Sequence, residues 1–376
     1  MKKTFLSLFA LALALSYSPA TAAAPAAGQK CTSLNQKVTV AGKKLICTKV
    51  GSKVIWKVVT ATPKPTPTPK VSASPTPSAT ASPSPSATPP KWKQLTAEEI
   101  IAESTKTITA YFSVKRTTNQ EVIVLVQPGI DPLWKDFIFK GATVVAQAFV
   151  YPPVGKPFYD VVATDKEWLA EAYKGAGFSE REVQDRLGGF ATGSPAFGGA
   201  TTNTWNMSVL KASNALVNDK AGAYQTPGHE FFHGIQERYA GRNPGPGGEQ
   251  IPNWFWEGPA MYVGLHSAAY AGFIDFKSEG RESMVKRFKN GRPQARALSL
   301  IEVKANDGVV DPYAIGFAAT EYLVAQVGVE KFVDIYAELG KGKSFASAFE
   351  SATGFALNDF YDRFEEARAG LGFPRG

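Results

Sequence analysis

Histidine and cysteine are scarce in this chain. Its 376 residues include three histidines and two cysteines, so a site built on imidazole or thiolate must use most of what the sequence offers. Both cysteines, Cys31 and Cys47, lie within the first 50 residues. In an exported protein, an even cysteine count at close spacing predicts a disulfide rather than two free thiols. A zinc site closed by several cysteines elsewhere in the chain is thereby excluded.

Acidic residues are absent before Glu98. Residues 23–97 contain 11 lysines and no arginine, whereas residues 98–376 contain 28 basic and 33 acidic residues. A cationic front is therefore attached to a mildly acidic body. Two interpretations stay open: Coulomb attraction holds the front on an anionic wall polymer or lipid head group, or it is a lysine-rich small fold without such a partner. We expect no nucleic-acid partner.

Long apolar runs are also missing after the N-terminus, so no transmembrane segment is expected in the mature chain. Residues 1–22 have the pattern of a secretory signal. Lys2 and Lys3 precede the apolar run "TFLSLFALALAL", and the small residues "ATA" end at Ala22. A membrane anchor is the alternative for this segment. The sequence therefore predicts an exported protein, either secreted or retained at the cell wall.

Three further segments follow the predicted signal. Residues 23–60 contain "KVTV", "KKLICTKV" and "KVIWKVV", which have strand composition, with the turn signals "AG" and "GS" between them. Residues 61–91 are rich in proline, serine and threonine and are typical of an extended linker. Residues 92–376 form the main domain. Its strand patterns come before a largely helical second half, which favours an α+β fold.

Two of the three histidines occur in the sequence "GHEFFHGIQERYA". We predict a helix here, with Thr226 as its N-cap, Pro227 in the first helical position and Tyr239 near the end. His229 and His233 are four residues apart, so a helix places both imidazoles on one face. That arrangement allows the two rings to share one Zn²⁺ at about 2.0–2.1 Å.

Glu230 lies one position after the first histidine. It is poorly placed to be a third ligand on the same face, but it can accept a proton from a water that zinc acidifies. The alternative is a solvated helix with histidines at random positions. A structural zinc site would need four protein ligands, usually including cysteine, so a metal here is expected to be catalytic.

A catalytic zinc needs a third protein ligand, and "NWFWEGPAMYVG" supplies Glu257, 24 residues after His233. The glycine- and proline-rich "GRNPGPGGEQIP" between them allows the chain to turn back. Taken alone, Glu257 is better explained as a first-turn carboxylate favoured by the helix dipole. The aromatic residues around it are expected to pack the two site helices together: Trp254, Phe255, Trp256 and Tyr262.

These motifs together resemble the gluzincin branch of zinc metallopeptidases, most of all its aminopeptidase N-like members. The HExxH of His229–His233 is followed by W-x-W-E-G-x-A at Trp254–Ala260. The stretch "PYAIGFAATEYLVAQVGVEKFVDIYAEL" is similar to the Y-x-x-G helix of that branch and the helices after it. The resemblance covers residues 195–370 and is strong in the two zinc motifs.

The resemblance implies a zincin-like domain that binds one Zn²⁺ through His229, His233 and Glu257. It implies Glu230 as general base and Tyr313, at the head of Y-x-x-G, as a hydrogen-bond donor to the tetrahedral oxyanion. For Tyr313, an aromatic side chain that only anchors the start of a helix is the alternative.

The sequence departs from the family pattern at two places. The stretch "FGGATTNT", residues 197–204, lacks the glutamate that binds the free amine of an aminopeptidase substrate, which favours an endopeptidase or an unusual substrate. Met261 stands where a neighbouring branch has an aspartate that orients a ligand histidine, so no such partner is identified. His266 lies nine residues past Glu257, where a straight helix turns it away from the metal. We expect it at the surface or in packing.

The function that fits these features is an exported zinc metallopeptidase acting on a peptide or protein substrate. Two alternatives stay open. One is a wall-associated binding protein whose zinc is structural or absent, and the other is a zinc hydrolase of a non-peptide bond.

Overall fold

The chain divides into two compact units, Met1–Ser84 and Pro85–Gly376. The computed structural model describes residues 29–31, 37–40, 43–50, 53–58, 91–116, 121–150, 157–188, 196–200, 205–210, 220–240, 251–303 and 311–376. The predicted signal at 1–22 lies outside these residues, and so does the predicted linker at 61–91 apart from Lys91. Both stay predictions.

The N-terminal unit contains a small antiparallel sheet in chain order: β1 (Lys37–Val40), β2 (Lys43–Val50) and β3 (Lys53–Val58). Cys47 on β2 lies opposite Trp56 on β3, and both are buried. The Cys31–Cys47 disulfide is present, which confirms the pairing predicted from the sequence. Three short strands bury little apolar area, so a crosslink of this loop length, worth about 3 kcal/mol, is a large share of the unit's stability.

Several lysines of this sheet are exposed to solvent: Lys44, Lys49, Lys53 and Lys57. The predicted turns at 41–42 and 51–52 lie outside the described residues. Attachment of this unit to an anionic polymer stays a prediction.

The second unit contains a sheet of four described strands: β4 (Val122–Val126), β5 (Phe158–Ala163), β6 (Ala196–Ala200) and β7 (Trp205–Leu210). Their order is β4-β5-β7-β6, with β6 at the edge. The β4–β5 and β5–β7 pairs are parallel, and β6 pairs antiparallel with β7. Parallel neighbours need a crossover connection, and a helix follows β4 and another follows β5. The predicted mixture of helix and sheet is confirmed.

Helices account for most of the described part of this unit. They are α1 (Ala97–Ser113), α2 (Leu133–Ala148), α3 (Lys166–Gly175), α4 (Glu180–Gly188), α5 (Lys220–Ala240), α6 (Asn253–Tyr270), α7 (Glu282–Asn290), α8 (Pro293–Ala297), α9 (Pro312–Gly340), α10 (Phe345–Thr353) and α11 (Leu357–Ala367). A π-helical turn at Phe276–Arg281 precedes α7. Helix α9 bends at Gly328, whose φ of 84° is left-handed and suits glycine.

The start of α5 differs from the sequence prediction. The helix begins at Lys220, so Thr226 is not its N-cap and Pro227 lies inside it. The first turns are helical because they are buried: the ring of Tyr224 packs 4.9 Å from that of Phe137 on α2. Thr226 instead donates its hydroxyl to the carbonyl of Gly222 at 2.7 Å. Tertiary packing thus outweighs the hydrogen bond that an interior proline removes.

Helices α5, α6 and α9 approach one another so closely that glycines stand where they cross. A Cβ atom on Gly264 of α6 would lie 2.6 Å from the carbonyl oxygen of Gln225 on α5. A Cβ atom on Gly316 of α9 would lie 2.8 Å from the Cα atom of Gly258 on α6. These distances are far inside normal van der Waals contact, so the helices meet backbone to backbone.

In the part of the chain that the structure describes, no helix combines the length and apolar character needed to cross a membrane.

Candidate metal centre

The two histidines of α5 converge on one point. His229 is 5% exposed, and the Nε2 atoms of His229 and His233 lie 3.0 Å apart. Their ring centroids are 4.6 Å apart, with the ring planes nearly perpendicular. The i, i+4 spacing on a helix accounts for this geometry.

Glu257 reaches the same point from the second turn of α6, so the predicted position in the first turn is wrong. Its Oε2 atom lies 3.4 Å from Nε2 of His229 and 3.3 Å from Nε2 of His233. Gly258, the next residue, contacts Gly316 of α9, so the closest part of the α6–α9 crossing lies directly beside this ligand. Among the described residues these three form the one group of His, Cys, Asp and Glu side chains able to hold a metal ion.

The donor set fits a zinc ion. Ligands of a tetrahedral ion at about 2.1 Å lie about 3.4 Å from one another, and the three distances here are 3.0, 3.3 and 3.4 Å. Two imidazole nitrogens and one carboxylate oxygen are also the ligands of catalytic zinc sites with an open fourth position. The residues predicted as ligands are therefore brought together in a suitable geometry.

The charges of these side chains favour an ion pair between His233 and Glu257. Burial alone would lower the pKa of His233, but the hydrogen bond and the charge of Glu257 outweigh it and raise that pKa to about 9. Burial would raise the pKa of Glu257, but hydrogen bonds from His229 and His233 lower it below its usual range. The ion pair stabilises the fold most between the ordinary pKa values of carboxylate and imidazole. It weakens as pH rises through 9, or as pH falls through the lowered pKa of Glu257.

Gln236 was missed by the sequence analysis. Its side chain is fully buried, and its Oε1 atom lies 2.7 Å from Nδ1 of His233. Its Nε2 atom donates to the carbonyl of Trp256 and to the hydroxyl of Tyr336, both at 2.9 Å. Gln236 follows His233 by three residues on the same helix, a spacing that puts the two side chains side by side. That spacing was the available signal.

The aromatic residues of α6 pack around this centre. The ring of Trp256 stacks on that of His233, with centroids 5.4 Å apart and planes at 17°. Phe255 stacks on Tyr336 of α9 at 4.9 Å. Trp254, Phe255 and Tyr262 are fully buried, but their ring contacts outside α6 are with α9, α10 and α11. Among the described residues, a ring contact between the two zinc-motif helices is present for Trp256.

Glu230 and Tyr313 lie beside the three ligands. Glu230 is half-buried next to His229 and is outside the converging group. The ring of Tyr313 lies nearly parallel to that of His229, with centroids 5.9 Å apart and planes at 24°. Burial raises the pKa of the Tyr313 hydroxyl, and the nearby charges of Glu257 and Glu230 raise it further. The phenol therefore stays protonated and able to donate a hydrogen bond.

Tyr313 is held at the start of α9 by its neighbours. Asp311 caps the helix by accepting the Tyr313 backbone N–H at 3.0 Å. The other carboxylate oxygen of Asp311 accepts from Nε of Arg287. The guanidinium of Arg287 lies 4.6 Å from the centroid of the Tyr313 ring, a cation–π contact. The ring thus has contacts with both α5 and α7.

The remaining histidine belongs to the core. His266 is 3% exposed and stacks on Phe276 at 3.7 Å. Burial lowers its pKa to about 3, so the ring is neutral. His266 was expected either at the surface or in packing, and the structure places it in packing.

The structure shows where the two departures from the family pattern lie. The first part of the "FGGATTNT" stretch lies on the edge strand β6, and residues 201–204 are outside the described part of the chain. Met261 is buried in the core, and Gln236 contacts a ligand histidine instead.

Asp160 is a second feature that the sequence analysis missed. It lies on β5, where it shares a face with Phe158 and Val162 of the main core, and Phe158 packs 4.8 Å from Phe231 of α5. Its side chain is fully buried, and within the described residues neither carboxylate oxygen has a hydrogen-bond partner. Burial, and then the charge of Glu230, raise its pKa well above the ordinary value. Burial behind the site helix therefore favours the neutral form of Asp160.

Asp160→Asn is expected to raise stability at pH 7 but not at pH 4. A carboxyl group with a raised folded-state pKa stabilises the fold fully below its unfolded pKa and less as pH increases, because the unfolded chain ionises first. The amide does not titrate. Melting temperatures at both pH values measure the difference. An equal effect at pH 4 and pH 7 would show that folding does not shift the pKa of Asp160, and a greater loss of stability at pH 7 than at pH 4 would show that it is ionised and paired in the folded protein.

Comparisons with known protein families and with curated proteins find no match to this chain.

Proposed function

We propose that this protein is a zinc-dependent hydrolase, a metallopeptidase of gluzincin type with a zincin-like main domain. The observation that carries the proposal is the convergence of His229, His233 and Glu257, whose ligand atoms all lie within 4.8 Å of one another. His229 is buried, and His233 and Glu257 are largely shielded from solvent. Bringing these polar groups together away from water is costly, and a divalent cation would offset that cost.

Zinc bound there would supply a Lewis acid that lowers the pKa of water and polarises a carbonyl. Glu230, half-buried beside the ligands, is the residue proposed to accept and return a proton. Tyr313 is proposed to donate a hydrogen bond to the oxygen that gains negative charge in the transition state. Its raised pKa and its position between His229 and Arg287 support that role.

A peptide is the substrate that best suits this arrangement. Strand β6 lies at the edge of the sheet and packs on α5, the helix that carries two ligands. An edge strand can pair with an extended peptide backbone. The absence of glutamate from "FGGATTNT" favours cleavage within a chain over removal of an N-terminal residue. Export and retention at a cell wall are parts of this proposal that rest on the sequence.

The metal site predicts that His233→Ala and Glu257→Ala each lose most of their zinc. Removing one of three ligands leaves too few for a stable site. The measurement is metal content of the purified full chain after equilibration with one equivalent of Zn²⁺. His266→Gln is the matched control, because it removes the histidine buried away from the cluster, and it should retain one zinc.

A proton count gives an independent test of the same site. The metal-free protein carries a proton on His233 at pH 7 to 8, because its pKa is about 9. Zinc must displace that proton, so binding should release it to the buffer and weaken as pH falls.

Full zinc occupancy in both ligand variants, His233→Ala and Glu257→Ala, would refute the site.

A further inference from the structure

We infer that Gln236 is a positioning residue that fixes the tautomer of His233, so that Nδ1 carries the hydrogen and Nε2 faces the metal. The inference rests on the proposed function, because it concerns how one ligand of that site is oriented. It assigns a role to a side chain outside the HExxH letters.

The direction of each hydrogen bond follows from one group that can only accept. The backbone carbonyl of Trp256 has no hydrogen to give, so the Gln236 atom 2.9 Å away must be the amide nitrogen. The hydroxyl of Tyr336 donates to the carbonyl of Phe255 at 2.8 Å, so its oxygen is free to accept from the same nitrogen. Both contacts orient the amide in the same sense.

The other end of the amide is then an oxygen. Oε1 of Gln236 can only accept, and it lies 2.7 Å from Nδ1 of His233. That nitrogen must therefore carry the hydrogen. In a neutral imidazole the lone pair is then on Nε2, the atom that lies 3.0 Å from Nε2 of His229 and 3.3 Å from Glu257.

The same side chain joins the three helices of the site. Gln236 is on α5, Trp256 precedes the ligand Glu257 on α6, and Tyr336 is on α9. Full burial keeps water from competing for these bonds. By contrast, Nδ1 of His229 has no hydrogen-bond partner among the described residues. Loss of the amide should therefore affect His233 and not His229.

The first test is zinc affinity, measured by competition with a chelator for the full chain. Gln236→Met keeps the length of the side chain and removes both the acceptor and the donor. Its zinc affinity should fall by about 10- to 100-fold, the usual effect of losing a partner of a ligand histidine. Gln326→Met is the matched control: Gln326 is also buried and hydrogen-bonded, to the backbone of Lys93. Equal affinity in the two variants would overturn the inference.

The second test reads the tautomer directly and does not require the variant to fold. With three histidines in the chain, ¹⁵N-histidine labelling gives a spectrum that can be assigned completely. In zinc-loaded wild-type protein, His233 should show a slowly exchanging Nδ1–H and a metal-bound Nε2. In the metal-free protein at pH 10, it should be the Nδ1–H tautomer. An Nε2–H tautomer there, or coordination through Nδ1, would overturn the inference.

These outcomes separate the inference from the proposed function. Wild-type protein that binds no zinc would refute the function, while the metal-free spectrum would still report the His233 tautomer. Wild-type protein that binds zinc, with Gln236→Met binding equally well, would refute the role of Gln236 alone.

Discussion

Glu230→Gln is expected to keep its zinc and to lower kcat by about 10²- to 10⁴-fold, the usual contribution of a general base. Glutamine keeps the size of the side chain but cannot take a proton. Glu230 is outside the group that could hold the metal, so the ligands should be undisturbed. The measurement is hydrolysis of a random peptide library by the full chain, together with metal content.

Glu282→Gln is a suitable control for the same chemical change, because Glu282 is exposed on α7, and its turnover should match the wild type. Wild-type turnover in Glu230→Gln would exclude Glu230 as the base. If the zinc-loaded wild type cleaves nothing in the library, the binding-protein and non-peptide alternatives gain support.

Gly316→Ala is expected to destabilise the second unit by more than about 3 kcal/mol, beyond the usual cost of overpacking a core. The added methyl group would meet the carbonyl of Trp254 and lie 2.8 Å from the Cα atom of Gly258. A backbone cannot rotate away as a side chain can. The measurement is the free energy of unfolding in urea, with zinc removed so that ligand loss does not contribute.

Gly175→Ala provides the comparison. Gly175 ends helix α3, and a Cβ atom there would meet nothing within 4 Å. That change should be neutral or stabilise by about 0.4–1 kcal/mol, because it restricts the unfolded chain. A Gly316→Ala protein as stable as the Gly175→Ala protein would show that α6 and α9 can separate without cost.

The sequence was most informative where one local rule determined the outcome. The spacing of His229 and His233 predicted a shared helix face, and both rings lie there. The Cys31–Cys47 disulfide could be predicted without any knowledge of the fold, because two cysteines allow only one pairing within the chain. The largely helical second half of the main domain was likewise visible in the sequence, whereas the expectation of strands before helices left out the helices that lie among the strands of its first half.

Contacts between distant segments could not be predicted in the same way. The partners of Gln236 lie 20 and 100 residues along the chain, so only the spacing to His233 was visible. Helix α5 begins six residues before Thr226 because of packing on Phe137, which is remote in sequence. The burial of Asp160 could not be predicted for the same reason, because nothing in "FYDVVAT" indicates which face of the sheet a helix will cover.

The contact between Gly258 and Gly316 has a consequence for how the protein would exchange its metal. Zinc fingers are unfolded without their ion, so for them loading and folding are one event. Here Glu257 directly precedes Gly258, where α6 and α9 meet backbone to backbone in the buried core. In the proposed metallopeptidase, zinc would then enter a site between helices that already pack together, and it would displace the proton of His233. Occupancy would then follow the pH and the free zinc concentration of the surroundings.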